Sequence, residues 1–161
     1  MPLPISFPEN YKLVRVQTVV AASAFSLSDY VSCKNALKVW FIVSHAGATD
    51  TDLTIGLTEA TDVAGGTSAA VTATLPIWKD PDHGTSSDGL VRATDAATDV
   101  IDPATEGSQL MEIEWDPAKH TAGYDCIAVS GSGGNAANTV VVFAVIAERY
   151  QQASLPSAIV D

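Results

Sequence analysis

A chain of 161 residues, 47% hydrophobic and 17% charged, is the size of one ordinary domain. Folding at that length buries roughly two-thirds of the unfolded surface, so neither disulfide nor metal is needed as a staple, and wholesale disorder is excluded. A formal charge of −11 argues against nucleic acid and anionic membranes as partners, because phosphate affinity comes from Lys and Arg displacing counterions.

Residues 1–11 spread three prolines among Leu3, Ile5, Phe7 and Tyr11. They lack a positive n-region and an unbroken apolar core, so they read as an extended arm, not a signal peptide. Weaker strand candidates follow at 12–20 and 25–32. The run 37–43 is apolar throughout and rich in β-branched and aromatic residues, which favours a central strand. Residues 53–58, 71–75 and 111–115 alternate apolar and polar side chains, the signature of half-buried strands. Weaker strand signals lie at 90–93 and 124–130, and a second apolar run covers 139–147.

The intervals 46–51, 62–68, 79–89 and 131–138 are rich in Gly, Asp, Ser, Thr and Pro and read as turns. The strongest helix signal is at 116–123, where Asp116 as N-cap, Pro117 at N1 and Gly123 at the end would frame about two turns. The expected fold is all-β: one β-sandwich over residues 12–149, jelly-roll-like, with extended arms at 1–11 and 150–161. The second arm keeps Leu155, Ile159 and Val160, so both ends should fold back over the domain or lie on neighbouring subunits. The apolar runs are far short of the ~20 residues that span a bilayer.

Charge is uneven. Residues 1–49 carry four basic against two acidic residues, and residues 50–161 carry four against seventeen. The acidic part reads as a solvated surface, or as leaving the mildly basic first part to face an acidic partner. Cys33 and Cys126 are distant in sequence and lack a CxxC neighbour. Two buried thiols are favoured, and a single bridge stays open.

Reactive constellations are scarce. His45, His83 and His120 have no metal-ligand spacing and read as ordinary polar surface residues. The stretch 80–84 and the pair Asp50 and Asp52 read as turn chemistry more readily than as a cation loop. The glycine-rich 131–135 lacks the Lys-Ser/Thr of a phosphate cradle and reads as a flexible hairpin tip. Ser130 and Ser132 sit in no nucleophile elbow. Glu112 and Glu114 share one strand face and mark a solvent face more readily than a glycosidase pair. Trp40, Trp78 and Trp115 offer a sugar-stacking platform or core packing, with core favoured for Trp115. No catalytic, cofactor-binding or metal-binding residues are expected, and the chain reads as non-enzymatic.

The Pro-rich apolar start, VWFIVSHAGATDT at 39–51, IEWDPAKHTAGYDCIAVSGSGGN at 113–135 and AERYQQASLPSAIVD at 147–161 together resemble the β-sandwich decoration or cement proteins of tailed-bacteriophage heads. The resemblance implies synthesis in the host cytoplasm and binding to the major capsid protein on the outer surface of the virion. It also implies homotrimers near three-fold positions, with terminal arms bridging capsomers. The expected partner contacts are Leu3, Ile5, Phe7, Tyr11, Tyr150, Leu155, Pro156 and Ile159. Rival readings are another virion part (head–tail connector, tail or fibre base) and a carbohydrate-binding module.

Overall fold

The computed structural model describes residues 7–47, 49–84, 86–103, 107–150 and 157–159. After a helical turn, Phe7–Asn10, the described residues form eleven strands. These are β1 (Tyr11–Ala21), β2 (Val31–Ser32), β3 (Ala36–Ala46), β4 (Leu53–Ala60), β5 (Ser68–Ala70) and β6 (Ile77–Asp80). Then come β7 (Val91–Arg92), β8 (Thr98–Ile101), β9 (Gln109–Trp115), β10 (Cys126–Gly133) and β11 (Thr139–Glu148).

Two antiparallel sheets pack as a β-sandwich. One has the order β1-β11-β3-β9-β6-β7 and the other β2-β10-β4-β5, with β8 also paired to β4. Without β6, β7 and β8, the first strand lies beside the last and consecutive strands alternate between sheets except for the β4–β5 hairpin, which is the jelly-roll arrangement of two four-stranded sheets. The inward rows of both sheets supply the core: Val39, Phe41 and Val43 from β3, Leu53, Ile55 and Leu57 from β4, and Met111, Ile113 and Trp115 from β9. Period-2 alternation is thus the direct cause of the layer structure.

The apolar runs lie where expected, since β11 and β3 are central strands of the larger sheet. Four expectations change. Residues 71–75 are not a strand: the ladder with β4 is made by Ser68–Ala70, while Val71 and Leu75 enter the core from an irregular segment. Pro76, which has no N–H to give a ladder, ends that segment. The expected two helical turns shrink to one 3₁₀ turn, Pro117–Lys119, capped by the Asp116 carboxylate accepting from the Ala118 N–H at 2.9 Å. The chain leaves the helix there because the His120 ring is held inside the protein. Of residues 25–32, only Val31–Ser32 forms a strand. Short β6 and β8 carried too little alternation to be seen.

Cys33 and Cys126 are both buried, and no disulfide joins them. Burial, and after it the neighbouring Cys126 thiol, pushes the Cys33 thiol well above the ordinary range.

The glycine-rich tip is packed. Gly134 has φ +79, its N–H donates to the Asp52 carbonyl at 2.8 Å, and an added Cβ would lie 2.8 Å from the Ala22 carbonyl carbon. Gly134→Ala is therefore expected to cost about 2 kcal/mol or more, from left-handed strain plus a backbone clash. Urea unfolding of the variant checks this, and an unchanged midpoint would contradict it.

Candidate docking surface

The outward side chains of the six-stranded sheet follow from its register. Arg15 pairs with Phe143, Phe143 with Ile42, Ile42 with Glu112, Glu112 with Trp78, and Trp78 with Arg92. The neighbouring row runs Leu13, Val145, Trp40, Glu114. An antiparallel sheet with one wet face normally alternates apolar-in and polar-out. Here the centre of the wet face is Phe143, Val145, Trp40 and Ile42, all half-buried, with Leu13 exposed at its edge. The unbroken apolar runs are thus apolar on both faces, and no described element covers the outer one.

At one end of this face Phe7 stacks on Tyr11, with ring centroids 5.3 Å apart, and Tyr11 meets Trp40 edge-on at 6.0 Å. Phe7, Tyr11, Trp40, Ile42, Glu112 and Val145 line a groove of about 270 Å³. Trp40 is held by its indole N–H donating to Glu114 at 3.3 Å, while Glu114 also takes the Lys38 ammonium. Glu112 is half-buried; burial, and after it the nearby Glu114 charge, raises its carboxyl above the ordinary range. Both glutamates do face outward, as the alternation indicated.

Of the expected contacts, Phe7 and Tyr11 lie in this groove. Tyr150 is 68% exposed just past β11, near the end where Tyr11 pairs with Ala147. Ile159 is 47% exposed, and its neighbour Ala158 is buried and accepts from the Ser32 N–H at 2.7 Å. Residues 157–159 therefore fold back on the domain. Because the Arg149 N–H donates to the Asn35 carbonyl, close to Ser32 in sequence, both described ends meet the same end of the sandwich. Leu3, Ile5, Leu155 and Pro156 lie outside the described residues.

The three tryptophans form no common platform. Trp115 is buried in the core, Trp40 and Trp78 are on the outer face, and the Arg92 guanidinium lies over the Trp78 ring at 4.3 Å.

The structure assembles one cluster that the spacing did not reveal. Glu59, His120 and Trp115 meet beside a cleft of about 360 Å³, lined also by Lys119, Thr121 and Tyr124. The Trp115 indole donates to His120 Nε2 at 3.2 Å, so that nitrogen is an acceptor and the proton is on Nδ1, which faces Glu59 at 3.3 Å. Both ring nitrogens are engaged, which leaves none to take a proton from a substrate. The reading of all three histidines as surface residues is corrected: His45 is buried and the His120 side chain is 7% exposed. His45, on β3, faces Gln109, on β9. Both His45 ring nitrogens and Gln109 Oε1 lack partners among the described residues.

These groups set an acid limb. Burial holds both His45 and His120 below the ordinary imidazole range, and for His120 it outweighs the opposing pull of Glu59. Below about pH 6.5 the unfolded chain takes up protons that the folded chain refuses, so stability falls as pH drops. For Glu59, burial pushes upward, but hydrogen bonds from Thr121 and His120 leave the carboxyl below the usual range. Its contribution is present above the ordinary carboxylate pKa and is lost as pH falls through the lowered value. The urea midpoint is expected to be lower at pH 5 than at pH 7.5, with a smaller gap in His45→Leu. Equal midpoints at the two pH values would contradict this.

A comparison with protein-family models finds no match, and a comparison with curated protein sequences finds none. Among solved structures, the chain is similar to the SPBc2 prophage-derived protein YomS, with 12% identity over 85% of this chain and 92% of that one, at a TM-score of 0.44. It is also similar to the CBM22-1–GH10 modules of Clostridium thermocellum endo-1,4-β-D-xylanase 10B complexed with xylohexaose, with 8% identity and a TM-score of 0.32. That likeness covers 92% of this chain and 28% of the xylanase chain. Neither likeness bears on function.

Proposed function

We propose that this chain is a structural virion protein of a tailed bacteriophage, a decoration or cement protein on the outer face of the head that stabilises contacts between capsomers. The observation that carries this reading is the apolar outer face of the six-stranded sheet, left open by the described residues and running into the Phe7–Tyr11–Trp40 aromatic series. A continuous apolar patch on a folded surface marks a site of interaction. The sequence resemblance supplies the setting, many copies of the chain held on the major capsid protein. The net charge of −11 suits a position away from packaged DNA. Two chain ends at one end of the sandwich, repeated over many copies, give a multivalent grip in which many weak contacts must break together.

Immunogold labelling of particles released by the cells that encode the chain tests the proposal. Label over the heads is expected. Label confined to tails or connectors, or no labelled particle at all, would overturn it.

A further inference from the structure

We propose that the outer face of the six-stranded sheet receives a second copy of this chain, about a two-fold axis along the strands that sets Arg15 of each copy on Glu112 of the other. This rests on the reading of that face as a protein-docking surface and identifies its occupant.

Two charges on this face lack partners within the described molecule. Arg15 and Glu112 lie in one outward cross-strand row, on β1 and β9, with Phe143 and Ile42 between them. Three strand spacings separate them, about 14 Å, too far to pair within one molecule. Among the described residues neither has an ion-pair partner, whereas the other charges nearby are matched: Lys38 with Glu114, and Arg92 with Asp95 and the Trp78 ring. Glu112 is half-buried beside Ile42 and Trp78, where a carboxylate gains most from a planar guanidinium.

Symmetry then selects the arrangement. An axis parallel to the strands, midway between β11 and β3, exchanges β1 with β9 and β11 with β3. Arg15 lands on Glu112, Phe143 on Ile42 and Val145 on Trp40, and each contact occurs twice, as an isologous interface requires. An axis across the strands instead sets every strand on its own copy, with Arg15 against Arg15 or Glu112 against Glu112. Two sheets of equal twist pack face to face about 10 Å apart and about 30° off alignment, which this axis permits. The strand-parallel axis also keeps both copies' chain ends at the same end of the pair, so the pair presents a doubled set of gripping ends. A two-fold pair differs from the three-fold assembly that the sequence resemblance implies.

Light scattering and sedimentation of the full chain between about 10 and 200 µM test the pairing. The unaltered chain should be a dimer. Arg15→Glu and Glu112→Arg should each weaken it by about tenfold or more, and the two together should restore it. Unchanged thermal midpoints establish that the variants fold, and Ile42→Lys should also give monomers. A monomer throughout the range, a mass insensitive to both reversals, or no restoration in the double variant would overturn the inference. Monomers that still label phage heads would leave the docking reading intact, and rescued dimers that label no particle would overturn only its virion assignment.

Discussion

Replacing Trp115 by alanine is expected to destabilise the fold by about 3–5 kcal/mol, the range found for deleting a large buried aromatic side chain. Trp115 is 1% exposed, and the inward row of β9 places it in the core with Met111 and Ile113. Its indole N–H also holds the His120 ring, which in turn faces Glu59. The variant thus opens a cavity and leaves His120 Nε2 without its donor. In a domain of this size such a loss corresponds to a fall in thermal midpoint of about 10 °C or more. Trp115→Phe retains most of the volume and removes only the donor, so its cost should be about 1–2 kcal/mol. Differential scanning calorimetry of both variants checks the pair of values. A midpoint within about 2 °C of the parent for Trp115→Ala would contradict the account of this corner.

Trp40→Ala should behave in the opposite way, with little effect on stability and a large one on binding. Trp40 is half-buried on the outer face, between the edge of Tyr11 and the Glu114 carboxylate. Aromatic anchors of this kind carry 2 kcal/mol or more at interfaces, equivalent to about 30-fold in affinity. The expected result is a loss of about that size in the affinity of one copy for another, read by sedimentation, with a thermal midpoint within a few degrees of the parent. Val91→Ala, at an exposed position on the far edge strand β7, should leave binding unchanged. Equal losses in the two variants would show that the effect is not specific to this face.

What could be read from the sequence divides along physical lines. Strands with strict alternation, such as 53–58 and 111–115, were legible because one wet and one dry face impose a period of two. The apolar runs were legible as central strands, but not as an outer face that the described residues leave open: two-sided hydrophobicity reads the same whether the second cover is the chain itself or another molecule. Phe7 and Tyr11 stand among the expected contacts because apolar residues at a proline-stiffened end need a reason, and the structure places both beside Trp40. Trp40 was singled out as an aromatic, yet its place beside Tyr11 depends on Tyr11 pairing with Ala147 and Trp40 with Val145, a register no local pattern encodes. The Glu59–His120 contact joins residues 61 apart and left no trace in spacing. Residues 71–75 misled because core-directed side chains at alternate positions also occur in an irregular segment.

In the assembled particle the outer face of the six-stranded sheet should be covered by protein. A cryo-electron microscopy map of the particle at side-chain resolution tests it most directly. The account predicts the sandwich on the exterior of the head, with Trp40, Ile42 and Phe143 packed against another polypeptide, whether a second copy or the shell. A map in which those three side chains face open solvent while the chain is held through other surfaces would contradict it.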